Sequence, residues 1–537
     1  MNAMSTSLPL TIYMAVTVLA IQGDEMPVTI LDLPDAQIAA AYEKAAQKNV
    51  LAAVNPKVFP GYWSVCADGQ GFGYGNTYPS LDGHQMTDAL LWLGQVDTVK
   101  ANWDYVRTFQ RPDGQLPLAI LPASAGQRIG PASCQARVDA NGGLYRHWVP
   151  GDPLRALAGP TYIQNADAIF RHTQDREWLL KQLPSVNRAA DFLASLVTAE
   201  GAVRGAGYYI ERPTRVEYDG VAQCHAVDAF RRVAALNEIM GNTEAARKYR
   251  EFAGRIESHF RIRFWLQDRF AEYIHPERGL IANHGLTDVD WSAIALGAAS
   301  PEQISRLWPR LKIETLFYYG GMPTGIATLP QNYEPWESTY SDTMDRAAMG
   351  RVWYLEAGAR ARMGDSQGLV DSIQRVCKAG RDKEYYWRER YNDLGGYGAE
   401  KYCEYPANLI RIVQHFLLGV EMRLDGTLVL APTAPEEYWR QGFGQTLAWR
   451  GRRLRYTMQQ ERLTGTYFGG RQRLGVRFPS GGGETEVRVS LDGRAITATR
   501  EGGFVYVNLP ATSAQQACRF EMVPSGRLPM STSRNRR

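Results

Sequence analysis

Apolar residues recur at spacings of three and four along most of residues 35–421, which is the pattern of amphipathic helices. These predicted helices come in pairs joined by tight turns, such as residues 241–243 and 364–366. Five pairs and two single helices, at residues 35–49 and 402–420, add up to six helical hairpins. The pattern therefore predicts a mainly α protein in which residues 35–421 form an (α/α)6 helical toroid.

The pattern changes on both sides of this helical region. Residues 422–523 alternate between apolar and polar positions in short segments separated by glycines, which predicts an antiparallel β-sandwich. Residues 524–537 are polar and basic, and we expect them to be disordered. Residues 1–34 contain one apolar run at 8–21, rich in β-branched residues, which predicts a strand or leader segment. That run lacks a basic flank and a clear cleavage site, so the sequence slightly favours a cytoplasmic protein.

The connections between the predicted helices differ in length at the two ends of the toroid. At one end they are tight turns of a few residues. At the other end they are long and rich in glycine, proline and aromatic residues, at 55–82, 121–160, 200–219, 264–288, 316–338 and 384–402. Long ordered loops on a rigid scaffold commonly carry binding and catalytic residues, so the end with the long loops is the predicted active-site mouth.

Composition limits the classes of function. Hydrophobic residues make up 45% and charged residues 22% of the chain, as in soluble globular proteins, and the formal net charge is only +4. Nucleic-acid binding requires a strong basic excess, so we expect no nucleic-acid partner, and no segment predicts a membrane span. The 13 Trp and 28 Tyr residues favour a carbohydrate partner, because such side chains line sugar-binding clefts. Cysteine spacing and motifs predict no metal and no cofactor, and the oligomeric state stays open.

Three segments carry a resemblance to one enzyme superfamily: YPSLDGHQMTDALLWLG at residues 78–94, RGAGYYIERPTRVEYDG at 204–220 and YYWRERYNDLGGYG at 385–398. Their order is similar to that in six-hairpin glycosidases with (α/α)6 barrels, and most similar to inverting glycoside hydrolases of the trehalase and processing α-glucosidase type. This resemblance implies a substrate-binding acid at Asp82, a general acid at Glu211 and a general base at Glu389. It also implies that Tyr391 and Asn392 belong to the loop of the base.

Glycoside hydrolysis needs a protonated carboxyl at the leaving oxygen and a second carboxylate acting on the opposite face of the sugar. Glu211 follows an apolar Tyr-Tyr-Ile run, which favours its protonated form, although two arginines close by in the sequence oppose this. Glu389 lies between two arginines, which favour the carboxylate that a base requires. The alternative for both residues is an ordinary ion pair at the rim of the toroid.

Other acidic residues compete for these two roles. Glu404 is the main competitor because it lies at the start of the last predicted helix, and Glu217 and Glu400 are weaker ones. We expect sugar contacts from polar and aromatic residues on the same loops: Asp82, His84, Trp63, Trp336, Trp387, Tyr391, Asn392 and Glu404.

The sequence therefore predicts an inverting glycoside hydrolase that cleaves a terminal bond of an oligo- or polysaccharide. A polysaccharide lyase, a glycoside phosphorylase and a non-catalytic carbohydrate-binding protein are alternatives on the same toroid. The basic run RGRRLRY at residues 450–456 predicts a solvated strand face, with a surface for acidic glycans as the alternative.

Overall fold

The computed structural model describes residues 29–67, 81–120, 143–145, 155–205, 217–281, 287–313, 318–323, 347–392, 395–479, 486–512 and 516–525. The strand predicted at residues 8–21 lies outside this part of the chain, as does nearly all of the tail predicted to be disordered.

Twelve helices of the described ranges form two concentric rings. The outer helices are α1 (Ala36–Lys44), α3 (Val96–Arg107), α5 (Arg176–Ser195), α7 (Thr243–Arg263), α9 (Pro301–Leu311) and α11 (Ser366–Arg381). The inner helices are α2 (Leu81–Trp92), α4 (Arg155–Thr173), α6 (Gly220–Ile239), α8 (Asp288–Ala295), α10 (Gly350–Arg362) and α12 (Glu404–Ile412). Each inner helix packs against the next, and α12 packs back against α2. This closed ring confirms the predicted helical toroid.

Helix α1 supplies the outer partner of the last inner helix. It continues into a π-helical turn at Ala45–Val50, and the two segments pack against α11 and α12. The Asn49 side chain donates to the Tyr385 carbonyl at 2.9 Å, which attaches this segment to the loop after α11. The first and last helices of the toroid therefore form its sixth hairpin, although they lie more than 300 residues apart along the chain.

The two ends of the toroid have different connections. Tight turns join the first five inner helices to their outer partners, and Gly241 and Gly364 adopt left-handed conformations there, with φ of 83° and 70°. The longer connections lead to the next inner helix and carry short hairpins: β2 (Ala119–Ile120) with β3 (Gly143–Leu144), β4 (Tyr273–His275) with β5 (Gly279–Ile281), β6 (Tyr318–Tyr319) with β7 (Met322–Pro323), and β8 (Arg390–Asn392) with β9 (Gly395–Tyr397). The inner helices therefore begin at the rim with the long loops, where their positive dipole ends favour acidic groups.

Two β-sheets follow the toroid. One has the order β1 (Ile30–Asp32), β12 (Phe443–Trp449), β13 (Arg452–Gln459), β14 (Arg462–Phe468), β20 (Cys518–Ser525), β16 (Glu486–Leu491) and β17 (Arg494–Ile496). The other has the order β10 (Val420–Met422), β11 (Leu428–Leu430), β15 (Gln472–Val476), β19 (Phe504–Leu509) and β18 (Thr499–Glu501). Burial alternates along β13, where Leu454, Tyr456 and Met458 face the core, as expected for a sheet with one solvated face.

Strand β1 ties the start of the described chain to its end. Residues Ile30–Asp32 pair in antiparallel register with β12, so the N-terminal segment forms an edge of the C-terminal sheet. Within the described ranges, no helix combines the length and the apolar character that a bilayer crossing requires.

A glycine lets two inner helices approach each other closely at the rim. A Cβ atom on Gly350 of α10 would lie 3.0 Å from the Tyr405 backbone nitrogen and 3.1 Å from the Glu404 Cγ atom of α12. These neighbours include backbone atoms, which cannot move aside without shifting the helix. Gly254, in the exposed middle of α7, would meet nothing within 4 Å.

The same substitution should therefore have opposite effects at these two glycines. Gly350→Ala should lower the free energy of unfolding by about 1–3 kcal/mol because it overpacks the contact between α10 and α12. Gly254→Ala should raise it by about 0.5–1 kcal/mol because alanine favours a helix interior. Denaturant titration of both variants would measure this, and a stabilising Gly350→Ala would contradict the close approach.

Candidate active site

A buried ion pair joins the first turns of α10 and α12 at the rim. Glu404 Oε1 accepts a hydrogen bond from the Arg351 backbone N–H at 2.5 Å, and Oε2 accepts from Arg351 Nε at 3.0 Å and Nη2 at 2.7 Å. Both side chains are buried. Such bidentate, charge-assisted bonds are among the strongest that proteins make, so this pair fixes the two helix ends relative to each other.

Asp82, in the first turn of α2, is the neighbour of this pair. Its Oδ1 atom accepts a hydrogen bond from the Tyr402 hydroxyl at 3.0 Å and lies 4.0 Å from Arg351 Nη2. Burial raises the pKa of Asp82 to about 6, against the opposing effect of Arg351, and the nearby charges of Glu404 and Glu389 add to the rise. A carboxyl with this pKa keeps its proton in mildly acidic solution, as a proton donor must.

Glu389 is the third buried carboxyl at this rim. Its Oε1 accepts from Arg390 Nε and its Oε2 from the Ala399 backbone N–H, both at 3.1 Å. Gly398, with φ of +78°, gives this carboxyl its space, because a Cβ atom there would lie 2.6 Å from Glu389 Oε2. The loop that carries β8 and β9 therefore holds both oxygens of Glu389 in fixed positions.

A cavity of about 380 Å³ lies inside the inner ring of helices and is lined by Arg351 of the rim pair. Helix α2 lines it with His84, Asp88 and Trp92, which follow one another at one-turn spacing, so the cavity extends along the helix away from the rim. Pockets of several hundred Å³ are typical of small-molecule sites. The cavity is therefore large enough for a small organic ligand.

The charges along this cavity are paired with one another. Asp88 accepts from Arg411 Nε at 2.7 Å and lies 2.9 Å from His415 Nε2, and the Arg411 guanidinium stacks over the Tyr354 ring at 3.7 Å. Burial alone would raise the pKa of Asp88, but His415 and Arg411 hold it well below its usual range. Asp88 is therefore an anion that carries no proton for catalysis.

A second group of paired charges lies on the opposite wall, on α4 and α6. Arg232 donates to Asp167 at 2.5 Å and to Asp228 at 2.7 Å, and Arg171 donates to Asp167 at 2.8 Å. Each arginine on this wall has an acidic partner, so the wall offers polar atoms without an excess of either charge.

Three histidines of the cavity lining are neutral at neutral pH. Burial lowers the pKa of His84 to about 4 and the pKa values of His172 and His225 to about 3. The His84 ring lies between Asn165 Oδ1 at 2.7 Å and Arg411 Nη2 at 3.3 Å, which fits a proton on Nδ1 and an acceptor at Nε2. The lining as a whole suits an uncharged, polyhydroxylated ligand that both donates and accepts hydrogen bonds.

The structure brings four of the predicted site residues together and places others elsewhere. Asp82, Glu389 and Glu404 meet at the rim, and His84 lines the cavity beside them. Glu211 and Trp336 lie outside the described residues. The competitor Glu400 is an exposed rim residue paired with Arg388, and the other competitor, Glu217, is half-buried before α6.

The predicted sugar-stacking rings of Trp63 and Trp387 lie in the hydrophobic core instead, with 3% and 1% of their surface exposed. Gly380 makes the room for Trp387, whose indole N–H donates to the Val376 carbonyl at 3.0 Å. These two rings therefore present no accessible face to a ligand in this structure.

Tyr391 and Asn392 are also largely buried, on strand β8. The Tyr391 hydroxyl accepts from the Arg388 backbone N–H at 2.9 Å, and its backbone pairs with Ala348. These contacts shape the loop of Glu389. Tyr391 and Asn392 therefore lie beside the candidate site, in the loop that carries Glu389.

Sequence reasoning missed Arg351, Tyr402 and Arg411, which pair with the acidic residues of the site. The available signal was a charged residue in an otherwise apolar helix, as Arg351 is in AAMGRVWYLEAG. No group of three or more His, Cys, Asp or Glu side chains in the described ranges is arranged to hold a metal ion.

Comparisons with known proteins show what fold the chain has. No protein-family model matches the sequence, and no curated protein matches it. A GH78 family rhamnosidase of Bacillus sp. GL1 has a TM-score of 0.58 at 12% identity, over 82% of this chain and 40% of that one. A structure described as a sialidase has a TM-score of 0.58 at 11% identity, over 81% and 38%. The α-L-rhamnosidase of Streptomyces avermitilis, complexed with L-rhamnose, has a TM-score of 0.54 at 13% identity, over 92% and 42%.

This chain therefore spans 38–42% of the length of these three proteins and shares their fold. The likeness agrees with the predicted helical toroid. It is to rhamnosidases and a sialidase, whereas the sequence motifs resemble the trehalase and processing α-glucosidase type.

Replacing Asp82 should change the pH dependence of stability. Native Asp82 holds its proton up to about pH 6, whereas the unfolded chain releases it near 3.8, so this group destabilises the fold as the pH rises between these values. Asp82→Asn lacks this titration. The variant should therefore gain about 2–3 kcal/mol in unfolding free energy relative to the wild type between pH 4 and pH 7.

Asp382→Asn is the control with the opposite sign. The hydrogen bond from Lys378 lowers the pKa of Asp382, so its stabilising contribution is present at neutral pH and is lost as the pH falls. Denaturant titration at both pH values would measure the two differences. A difference between Asp82→Asn and the wild type that does not change with pH would contradict the raised pKa of Asp82.

Proposed function

We propose that the protein is a glycoside hydrolase that cleaves a terminal glycosidic bond at the rim of the toroid, with inversion at the anomeric carbon. The observation that carries this proposal is the meeting of Asp82 and Glu404, at the N-terminal ends of two inner helices, with Glu389 on the loop of β8 and β9, near a cavity of about 380 Å³ that Arg351 lines. A buried carboxyl whose pKa is raised to about 6, with further carboxyls beside it, suits the acid and base roles of glycoside hydrolysis. The shared fold with rhamnosidases and a sialidase supports the same reaction class.

The sequence motifs assign the general acid to Glu211 and the general base to Glu389. Inversion requires the base to activate a water molecule on the face of the sugar opposite the acid. The raised pKa of Asp82 suits a proton donor, so Asp82 competes with Glu211 for that role. Glu404 accepts three hydrogen bonds from Arg351, and we assign it a positioning role.

The terminal sugar that fits the axial cavity is uncharged, because the acidic groups there are paired with arginines and His84, His172 and His225 are neutral. The structural likeness favours an α-L-rhamnoside, and the sequence motifs favour an α-glucoside of the trehalose kind. Nitrophenyl α-L-rhamnoside, nitrophenyl α-glucoside and trehalose are therefore the first substrates to test. Proton NMR of the released sugar would show whether the anomer is inverted.

Replacing the acidic groups with their amides should remove the activity while the fold remains. Glu389→Gln and Glu211→Gln should each lower kcat/KM by about 10²- to 10⁴-fold, the usual contribution of a general acid or base. Glu400→Gln is the matched control, since this exposed rim glutamate lies on the same loop as Glu389 and pairs with Arg388. Its kcat/KM should stay within about twofold of the wild type.

The outcomes of these measurements distinguish between the possible general acids and bases. Near-normal activity of Glu389→Gln and Glu211→Gln would reject both roles. Full activity of Glu211→Gln, with a large loss in Asp82→Asn and a wild-type kcat/KM that falls above about pH 6, would identify Asp82 as the proton donor. A product of retained anomeric configuration would reject inversion.

A further inference from the structure

A second cavity lies between the toroid and the seven-stranded sheet, far from the rim. Its volume is about 600 Å³, and its walls come from the turns after α2 and α4 and from the hairpin that joins β12 to β13. Helix α2 spans the distance between the two sites, with Asp82 at its first turn and Leu91 lining this cavity. Nine residues of helix separate them by about 14 Å. We call this second cavity the interdomain cleft.

The interdomain cleft is strongly basic. Lys100, Arg450, Arg452 and Arg453 line it, and Asp175 is the one acidic residue among its described lining residues. Lys100 and Asp175 form an ion pair at 2.7 Å, so three arginines remain without a carboxylate in the cleft. Positive groups concentrated in a concave site attract anions.

Arg450 has hydrogen-bond donors in this cleft that lack an acceptor. Its Nε and Nη2 atoms are buried and donate to no atom of the described chain, whereas Arg452 lies within hydrogen-bonding reach of the Tyr467 hydroxyl. Burial and the charge of Arg452 lower the pKa of Arg450 to about 10. Buried guanidinium nitrogens without an acceptor cost stability, which an anion beside Arg450 would restore.

The hairpin holds these guanidinium groups in place. Arg450 and Gly451 form the two-residue turn between β12 and β13, both in left-handed conformations, with φ of 45° and 67°. The other end of the Arg452 side chain is fixed by Nη1, which donates to the Arg450 carbonyl at 3.3 Å, and by Nη2, which donates to the Arg471 carbonyl at 3.4 Å. The hairpin and these hydrogen bonds therefore hold Arg450 and Arg452 in position without a ligand.

We propose that the interdomain cleft binds an oxyanion, either the carboxylate of an acidic sugar or inorganic phosphate or sulfate, between Arg450 and Arg452. Guanidinium groups match the geometry of such oxyanions with paired hydrogen bonds. A volume of about 600 Å³ leaves room for a sugar attached to the anionic group. This site is separate from the rim and does not depend on the proposed hydrolase activity.

Calorimetric titration of the full-length protein at low ionic strength tests the proposal. The probes are potassium phosphate, sodium glucuronate and, as the uncharged control, glucose. At least one anion should bind with a 1:1 stoichiometry and glucose should show no binding at this site. Tighter binding of glucuronate than of phosphate would identify an acidic sugar as the ligand, and the reverse order would identify the inorganic anion.

Two variants decide whether the binding belongs to this cleft. Arg450→Gln should weaken anion binding at least tenfold, because it removes a charge-assisted pair of hydrogen bonds. Arg455→Gln, an exposed arginine on β13 that does not line the cleft, should bind like the wild type. In anion-free buffer Arg450→Gln should melt at the same or a higher temperature than the wild type. Equal binding in both variants, or no saturable binding of any anion, would overturn the proposal.

Discussion

The buried pair of Arg351 and Glu404 is the interaction on which the geometry of the rim depends. Two charges removed from water are stable only if their hydrogen bonds are all replaced, and here a single arginine supplies three of them to one carboxylate. These hydrogen bonds require α10 and α12 to lie close together, and Gly350 allows this because it has no side chain. Arg351, the cation next to Asp82, is already bonded to Glu404. Burial therefore affects the pKa of Asp82 more than the attraction to Arg351 does.

The inner surface of the helical ring is polar, whereas the space between its two layers of helices is apolar. Each inner helix therefore has two different faces. One face packs against the outer helices, and the other presents charged side chains to the axis. Helix α6 shows both, with Phe230 and Val233 in the core and Asp228 and Arg232 paired at the cavity. Reciprocal pairing of these charges gives the axis polar groups without a free charge, which is unfavourable for unpaired ions.

Local patterns explain why the toroid could be predicted from the sequence and the site only in part. Apolar spacing and left-handed glycines such as Gly241 act within a few residues, so helix pairs and tight turns are visible in the sequence. Arg351 and Glu404 lie 53 residues apart and each resembles an ordinary helix-start residue, so their pairing is not visible. Trp387 was expected on a ligand surface and is buried instead, because Gly380 on α11 leaves a space of its shape.

The pairing of Ile30–Asp32 with β12 has a consequence for the order of assembly. During synthesis the strand leaves the ribosome first, and its partner follows more than 400 residues later. Domains generally fold as units while the chain emerges, but β1 has no partner in β12 until the whole toroid has been made. The backbone groups of β1 that pair with β12 therefore stay unsatisfied while the toroid is synthesised, and the seven-stranded sheet gains this edge strand only afterwards.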